Sequence, residues 1–357
     1  MHVNYIIVGK GIAGSILYYT LTKAGANCVV VDDNKSNSAS RVAAGLINPV
    51  TGRRLVKSWM IDELIPAFTE LYKEIESDLN ISCLEETVLT WHLPATDIVE
   101  AFDKRIASGT EFLDGDPSEQ NAYFNFPFKS GDIRSCYIVN VQQILDFLRA
   151  AMKSSGLLVE EKFDHQQLSI INAGVRYNDL VADKIIFCEG YSAIHNSWFA
   201  QLPYSLNKGE ALIVSIKDLP TNHIYKFRQT LVPLPGKENL WWYGSNYIWD
   251  FKDDRPTNAY KEAATKELQS WLKLPFTVED HRAAIRYATV ERRPFVGFHP
   301  AQPRVGIFNG WGTKGCSLVP YFARQFTDHL MNPMVPIHAE ADIKRFNSLL
   351  SVKGPTF

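Results

Sequence analysis

The chain has no C-x-x-C pair, almost no net charge, and no apolar run near the roughly 20 residues needed to cross a bilayer. Each absence removes a class of protein. Its five cysteines, Cys28, Cys83, Cys136, Cys188 and Cys316, are odd in number and scattered. They fit reduced thiols in a cytoplasmic protein better than a disulfide framework or a zinc site. A formal charge of −2 over 357 residues leaves no global electrostatic footprint for nucleic acid, although local basic patches stay open. The nine histidines form no H-E-x-x-H pattern, so no metal is expected. No G-x-x-x-x-G-K-[ST] loop occurs, and Gly190-Tyr191-Ser192-Ala193 lacks the second glycine of a nucleophile elbow. The first residues enter an apolar strand at once, without the basic, apolar and cleavage regions of a secretory signal; a cytoplasmic location is expected.

What is present begins with Tyr5-Ile6-Ile7-Val8, an apolar strand running into Gly9-Lys10-Gly11-Ile12-Ala13-Gly14. A helical segment follows to about Ala24, Gly25 stops it, and a second apolar strand, Cys28-Val29-Val30-Val31, ends at Asp32. This is the order of a dinucleotide-binding βαβ unit. Gly9 permits a tight turn, Gly11 lets a pyrophosphate approach the backbone, and Gly14 allows close packing of helix on strand. The helix N-terminus offers unpaired N–H groups and a positive dipole end to a diphosphate. Asp32 is placed to bond a ribose hydroxyl. The bland alternative is a glycine-rich structural turn, and at this stage NAD and FAD both remain open.

Further along, the polar residues 33–40 read as a loop. The small, apolar Ala43-Ala44-Gly45-Leu46-Ile47-Asn48-Pro49 suits a segment passing close under a ligand. Helical spacing covers 59–79 and 95–107, with a strand at 87–93 between them. Residues 109–131, rich in Gly, Asp, Pro, Asn and Phe, read as an irregular excursion. A helix is expected at 141–154, alternating strands near 168–171 and 175–177, and a buried strand at Lys184-Ile185-Ile186-Phe187 that delivers Gly190 to the ligand. From about 206 to 289 alternating strands and a helix at 259–272 suggest the antiparallel sheet of a second domain. A last strand, 305–309, leads through Gly310-Trp311-Gly312-Thr313-Lys314-Gly315-Cys316 into a helix at 317–329. That loop could aim N–H groups at an anion; an ordinary strand-to-helix turn is the alternative. Arg286, Arg292 and Arg293 lie in or beside a strand, and a guanidinium can hold a carboxylate bidentately. Surface salt bridging is the expectation for Arg292 and Arg293.

Taken together these segments resemble the FAD-dependent oxidoreductases of the D-amino acid oxidase and glycine oxidase family. The resemblance rests on 8–14 with Asp32, on 40–49, on Cys188-Glu189-Gly190-Tyr191-Ser192, on Ile285-Arg286-Tyr287 with 291–297, and on 310–320. It implies an α/β fold: a Rossmann-type FAD-binding domain and a second α+β substrate domain on an antiparallel sheet. The implied FAD-binding domain is discontinuous (1–86, 135–205 and 290–357), and 87–134 with 206–289 make the substrate domain. The implied cofactor residues are Gly9, Gly11, Ile12, Ala13, Gly14, Asp32, Asp33, Ser40, Arg41, Ala44, Gly45, Leu46, Phe163, Glu189 and Gly190, with Gly310, Trp311, Gly312, Thr313, Lys314, Gly315 and Cys316 on the flavin-pyrimidine side. Arg286 would hold a substrate carboxylate, although the family often has proline where Tyr287 stands. Lys314 would stabilise negative charge on the flavin, unless it is a solvent-facing loop lysine. Tyr243 and Tyr247 are offered as substrate-positioning residues. No cysteine matches a covalent flavin attachment point, so non-covalent FAD is expected.

The reaction implied is oxidation of the C–N bond of a small amine or amino acid by hydride transfer to flavin, with oxygen or another acceptor taking the electrons. No membrane partner is expected. Two other readings stay open: a flavin oxidase acting on a modified tRNA nucleoside, and a non-catalytic dinucleotide-binding module.

Overall fold

A computed structural model describes residues 1–115 and 122–351. The chain divides into two compact units. The first contains Met1–Arg41, Val141–Asn207 and the chain from Ile285 onward; the second contains Val42–Asn140 and Lys208–Ala284.

The first unit is built on a sheet whose parallel core runs Leu158–Val159, Cys28–Val31, His2–Val8, Leu180–Phe187, Gln302–Asn309. Phe295–His299 joins the last of these antiparallel. The hairpin Leu168–Ile171 and Gly174–Tyr177 adds antiparallel to the start of Leu180–Phe187. The central strands are unbroken apolar runs because both their faces are covered. Ile6, Ile7, Val29, Val30, Ile185 and Ile186 are all fully buried. Helix Ile12–Lys23 follows the first strand and helix Gly315–Met331 the last.

A mostly antiparallel sheet, whose strands lie in the second unit except for Tyr204–Asn207 and Ile285–Thr289, runs in the order Phe276–Thr289, Tyr204–Ile216, Leu240–Gly244, Thr230–Pro233, His223–Lys226, Leu84–His92, Ser130–Val139, Leu46–Ile47. Within it His223–Lys226 runs parallel to Leu84–His92. Alternate side chains enter different cores, as the two-residue period of a strand requires. Trp241 and Tyr243 pack with Leu212, Tyr225 and Trp271, whereas Trp242 sits against Leu89 and Ile138.

The division differs from the expected domains in four places, the smallest being residues 206–207, which fall in the first unit. Residues 42–86 fall in the second unit, because Leu46–Ile47 pairs with Ser130–Val139 and Phe68 of helix Ile61–Leu79 packs edge-on against Tyr137 at 5.0 Å. Residues 135–140 go with them, since Ser130–Val139 is one continuous strand. Residues 285–289, Arg286 among them, belong to the first unit. The expected irregular excursion at 109–131 contains the short strand Leu113–Asp114 and the start of Ser130–Val139; its residues 116–121 lie outside the described residues. No helix among the described residues is long and apolar enough to cross a membrane, and no group of His, Cys, Asp or Glu among them could hold a metal ion.

Candidate active site

Four adjacent parallel strands end at the same edge of the first unit's sheet. They deliver Gly9, Asp32, Glu189 with Gly190, and Asn309 with Gly310. In an open α/β sheet the carboxyl edge is where ligands bind.

The glycine motif is forced by contacts at this edge. Gly9 has φ +97, and a Cβ on it would lie 2.5 Å from the Cys188 carbonyl oxygen. A Cβ on Gly14 would lie 1.9 Å from the Gly9 carbonyl oxygen, so no larger residue lets the helix come this close. Helix Ile12–Lys23 has no side-chain cap from its own N-cap. Instead Ser40 Oγ accepts the Ile12 N–H at 3.0 Å, and a Cβ on Gly11 would lie 3.0 Å from that same oxygen. Part of the space above Gly11 is therefore held by Ser40 rather than left to a pyrophosphate. The amides of Ala13 and Gly14 belong to the same first turn, whose N–H groups lack intrahelical acceptors by geometry.

Asp32 organises the loop around itself. Its Oδ2 accepts the Lys10 N–H and its Oδ1 the Asn34 N–H, both at 2.7 Å. Each carboxylate oxygen has a further lone pair for a hydroxyl. Asp33 is exposed. Arg41 is turned to helix Val141–Ser154, donating to Gln142 Oε1 at 3.0 Å and pairing with Asp146 at 2.9 Å.

Glu189 is held on both oxygens, by Asn196 Nδ2 at 2.8 Å and His165 Nε2 at 3.2 Å. Phe163 stacks on Tyr177 at 4.3 Å. Asn309 then ties two strand ends together: its Nδ2 donates to the Gly190 carbonyl at 3.2 Å and its Oδ1 accepts the Gly310 N–H at 2.9 Å.

The second glycine loop brings another helix N-terminus to the same place. A Cβ on Gly315 would lie 3.2 Å from Ile12 Cγ2, so helices Ile12–Lys23 and Gly315–Met331 start side by side. Two positive dipole ends at one sheet edge favour an anion or a developing negative charge. Trp311 is buried, and its indole N–H has no acceptor. Lys314 is half-buried with no acceptor for its ammonium among the described residues. Burial pulls its pKa down, and repulsion from Arg293 and Arg292 adds to the effect. Thr313 is exposed and Cys316 half-buried, its thiol pushed up to about 12 by burial.

Arg286 is half-buried and donates to Asn207 Oδ1 at 2.7 Å. The next residue joins it to the loop: the Tyr287 carbonyl accepts the Gly312 N–H at 3.0 Å. Tyr287, in place of the resembled family's frequent proline, is buried with its ring 4.3 Å from that of Tyr204. Arg293 pairs with Glu340, and Arg292 is exposed.

The remaining expected site residues lie in the second unit. The Gly45 carbonyl accepts the Val139 N–H at 2.9 Å, Leu46 is registered against Ile138, and half-buried Ala44 packs on the core beneath. Tyr243 is not open to a substrate. Its side chain is fully buried and its hydroxyl donates to Glu267 Oε1 at 2.9 Å, so it serves the core and leaves the candidate set. Tyr247 is exposed.

A family model for FAD dependent oxidoreductases (DAO) matches residues 4–329. The chain belongs to this family. Its fold is similar to glycine oxidase from Geobacillus kaustophilus, with TM-score 0.77 and 17% identity over 93% of this chain and 95% of that one. It is similar also to glycine oxidase from Bacillus cereus (TM-score 0.78, 16% identity, 95% and 99% covered). A third is L-proline dehydrogenase from P. horikoshii (TM-score 0.73, 16% identity, 95% and 96%). Among curated proteins, the uncharacterized oxidoreductase YurR of Bacillus subtilis (strain 168) is 35% identical over 72 residues; the match spans 20% of this chain and 19% of that one.

The first unit of this oxidoreductase fits FAD on its own evidence: a cradle that any Cβ would fill, paired helix N-termini, and a buried indole N–H without an acceptor. The sequence reading missed three residues that hold this edge together. Asn207 and Asn309 carry no motif and are recognisable only by their partners. Lys10 did carry a signal, a charged side chain between two motif glycines.

Proposed function

We propose that this oxidoreductase oxidises the C–N bond of a small carboxylated amine or amino acid, using FAD held without a covalent bond. The observation that carries the reading is the hydrogen bond from Gly312 to Tyr287, which locks the glycine loop to the strand beside Arg286. FAD, when bound, supplies the hydride acceptor, and the chemistry is the cofactor's. The chain's task is to bind and orient. Gly9 to Gly14 and Asp32 would hold the adenosine diphosphate half. The loop from Gly310 to Gly315 would hold the flavin half, with Lys314 answering negative charge there. Arg286, steadied by Asn207, would grip the substrate carboxylate and fix which C–H bond is presented.

Non-covalent attachment is supported by the cysteines. Burial raises the pKa of all five thiols, so none is a ready nucleophile at neutral pH. Reduced cysteines also agree with a cytoplasmic location. Oxygen or another small acceptor would reoxidise the cofactor.

The test is anaerobic bleaching of the flavin absorption against a panel of amines and amino acids. Arg286→Ala should raise KM for the bleaching substrate by about 100-fold, as expected for a lost charge-assisted pair, with flavin content unchanged. Unaltered kinetics on that substrate would remove Arg286 from the site.

A further inference from the structure

Lys10 stands between Gly9 and Gly11 and is only 4% exposed. Its backbone N–H is committed to Asp32 Oδ2. Its ammonium meets one acceptor, Asn34 Oδ1, at 3.5 Å, the outer limit of a hydrogen bond. No carboxylate completes an ion pair with it among the described residues. An ammonium has three N–H donors, and withdrawing them from water without acceptors is costly. Nearby charge does little to settle it. Burial is the largest influence and opposes the charged form; Asp32 and, more weakly, Asp146 favour it, and Arg41 and Arg149 oppose it. Arg41 differs in being already answered, by Gln142 and Asp146.

The place of this cation is informative. Asp32 ends the second strand, where a dinucleotide site receives the ribose. Lys10 and Asn34 are the two residues whose amides that carboxylate binds. An acceptor-only carboxylate and a donor-only ammonium thus flank one position. A ribose diol and diphosphate oxygens can satisfy both.

We infer that the Lys10 ammonium donates to oxygens of the adenosine diphosphate half of bound FAD and is an affinity-determining residue for the cofactor. The inference rests on the flavin reading. It makes the cofactor-free chain carry an under-satisfied buried cation, which the cofactor relieves.

The experiment strips flavin from the full-length protein and titrates FAD back into wild type and Lys10→Met, following flavin fluorescence. ADP serves as a competing probe. The dissociation constant for FAD should rise at least tenfold in the variant, and that for ADP by the same factor. Melting of the cofactor-free form should be no lower in Lys10→Met, since a poorly paired buried charge has been replaced by a methionine stem. A merely structural lysine would instead lower that melting temperature. FAD and ADP affinities equal to wild type would overturn the inference. So would a cofactor-free variant that melts well below wild type. A wild-type protein that takes up no FAD would be a failure of the flavin reading, and would show as such before any variant is compared.

Discussion

His92 is an imidazole shut inside aromatic rings: Phe126 stacks on it at 4.5 Å, with Phe124 at 4.8 Å and Trp271 at 5.8 Å. Its Nδ1 meets Ser130 Oγ at 2.8 Å, and its Nε2 is buried without a partner. Burial pulls its pKa from 6.5 down to about 4. The folded chain therefore keeps it neutral where the unfolded chain takes up a proton. Its contribution is complete above pH 6.5 and is lost as the pH falls toward 4, by roughly 3 kcal/mol in all. Denaturation by urea at neutral and mildly acid pH checks this against His92→Phe, whose stability should fall less on acidification. Identical acid sensitivity in the two proteins would sink the assignment. At this same scale Arg286 and Lys10 are poised oppositely. One is steadied by a neighbouring amide, and the other has almost nothing to hold.

Among elements, the pair of helices that begin at Ile12 and Gly315 is fastened further along by a bond between Thr20 and Thr327 hydroxyls at 2.8 Å. Thr20→Val keeps the shape and removes the bond; it should cost about 1 kcal/mol in urea denaturation. In the double variant with Thr327→Val the two costs should not add, because one interaction has been removed twice. Strict additivity would mean the hydroxyls are not coupled. These helices and the strands before them were legible in the sequence, because continuous apolar runs and turn glycines are local signals. Ser130–Val139 was not legible. Its first residues, Ser130-Gly131-Asp132, look like loop, Ser135 takes a positive φ, and its pairing with Leu84–His92 shifts register between Thr87 and Leu89. Tyr243 misled for a different reason. A tyrosine hydroxyl satisfied by a glutamate on a distant helix looks, in one dimension, like one waiting for a ligand. The carboxyl-edge glycines were readable and their asparagine staples were not, since the latter are defined only by what folding brings beside them.

At the scale of the whole molecule, the chain passes between its units after Arg41, Asn140, Asn207 and Ala284, so neither unit is a continuous stretch. Binding FAD to the folded form alone should raise stability by about 2.7 kcal/mol at a hundredfold excess over its dissociation constant. A melting temperature that climbs with added FAD checks this, and one indifferent to FAD would mean the folded form does not bind it. The same threading has a consequence during synthesis. The central strand His2–Val8 finds one neighbour, Cys28–Val31, almost at once, but its other neighbour is Leu180–Phe187. At the ribosome's pace of about 5–20 residues per second, the apolar edge of a nascent two-stranded sheet stands uncovered for roughly eight to thirty seconds. Production of this protein in the cell should therefore hinge on chaperone cover over that interval more than on the stability of the finished fold.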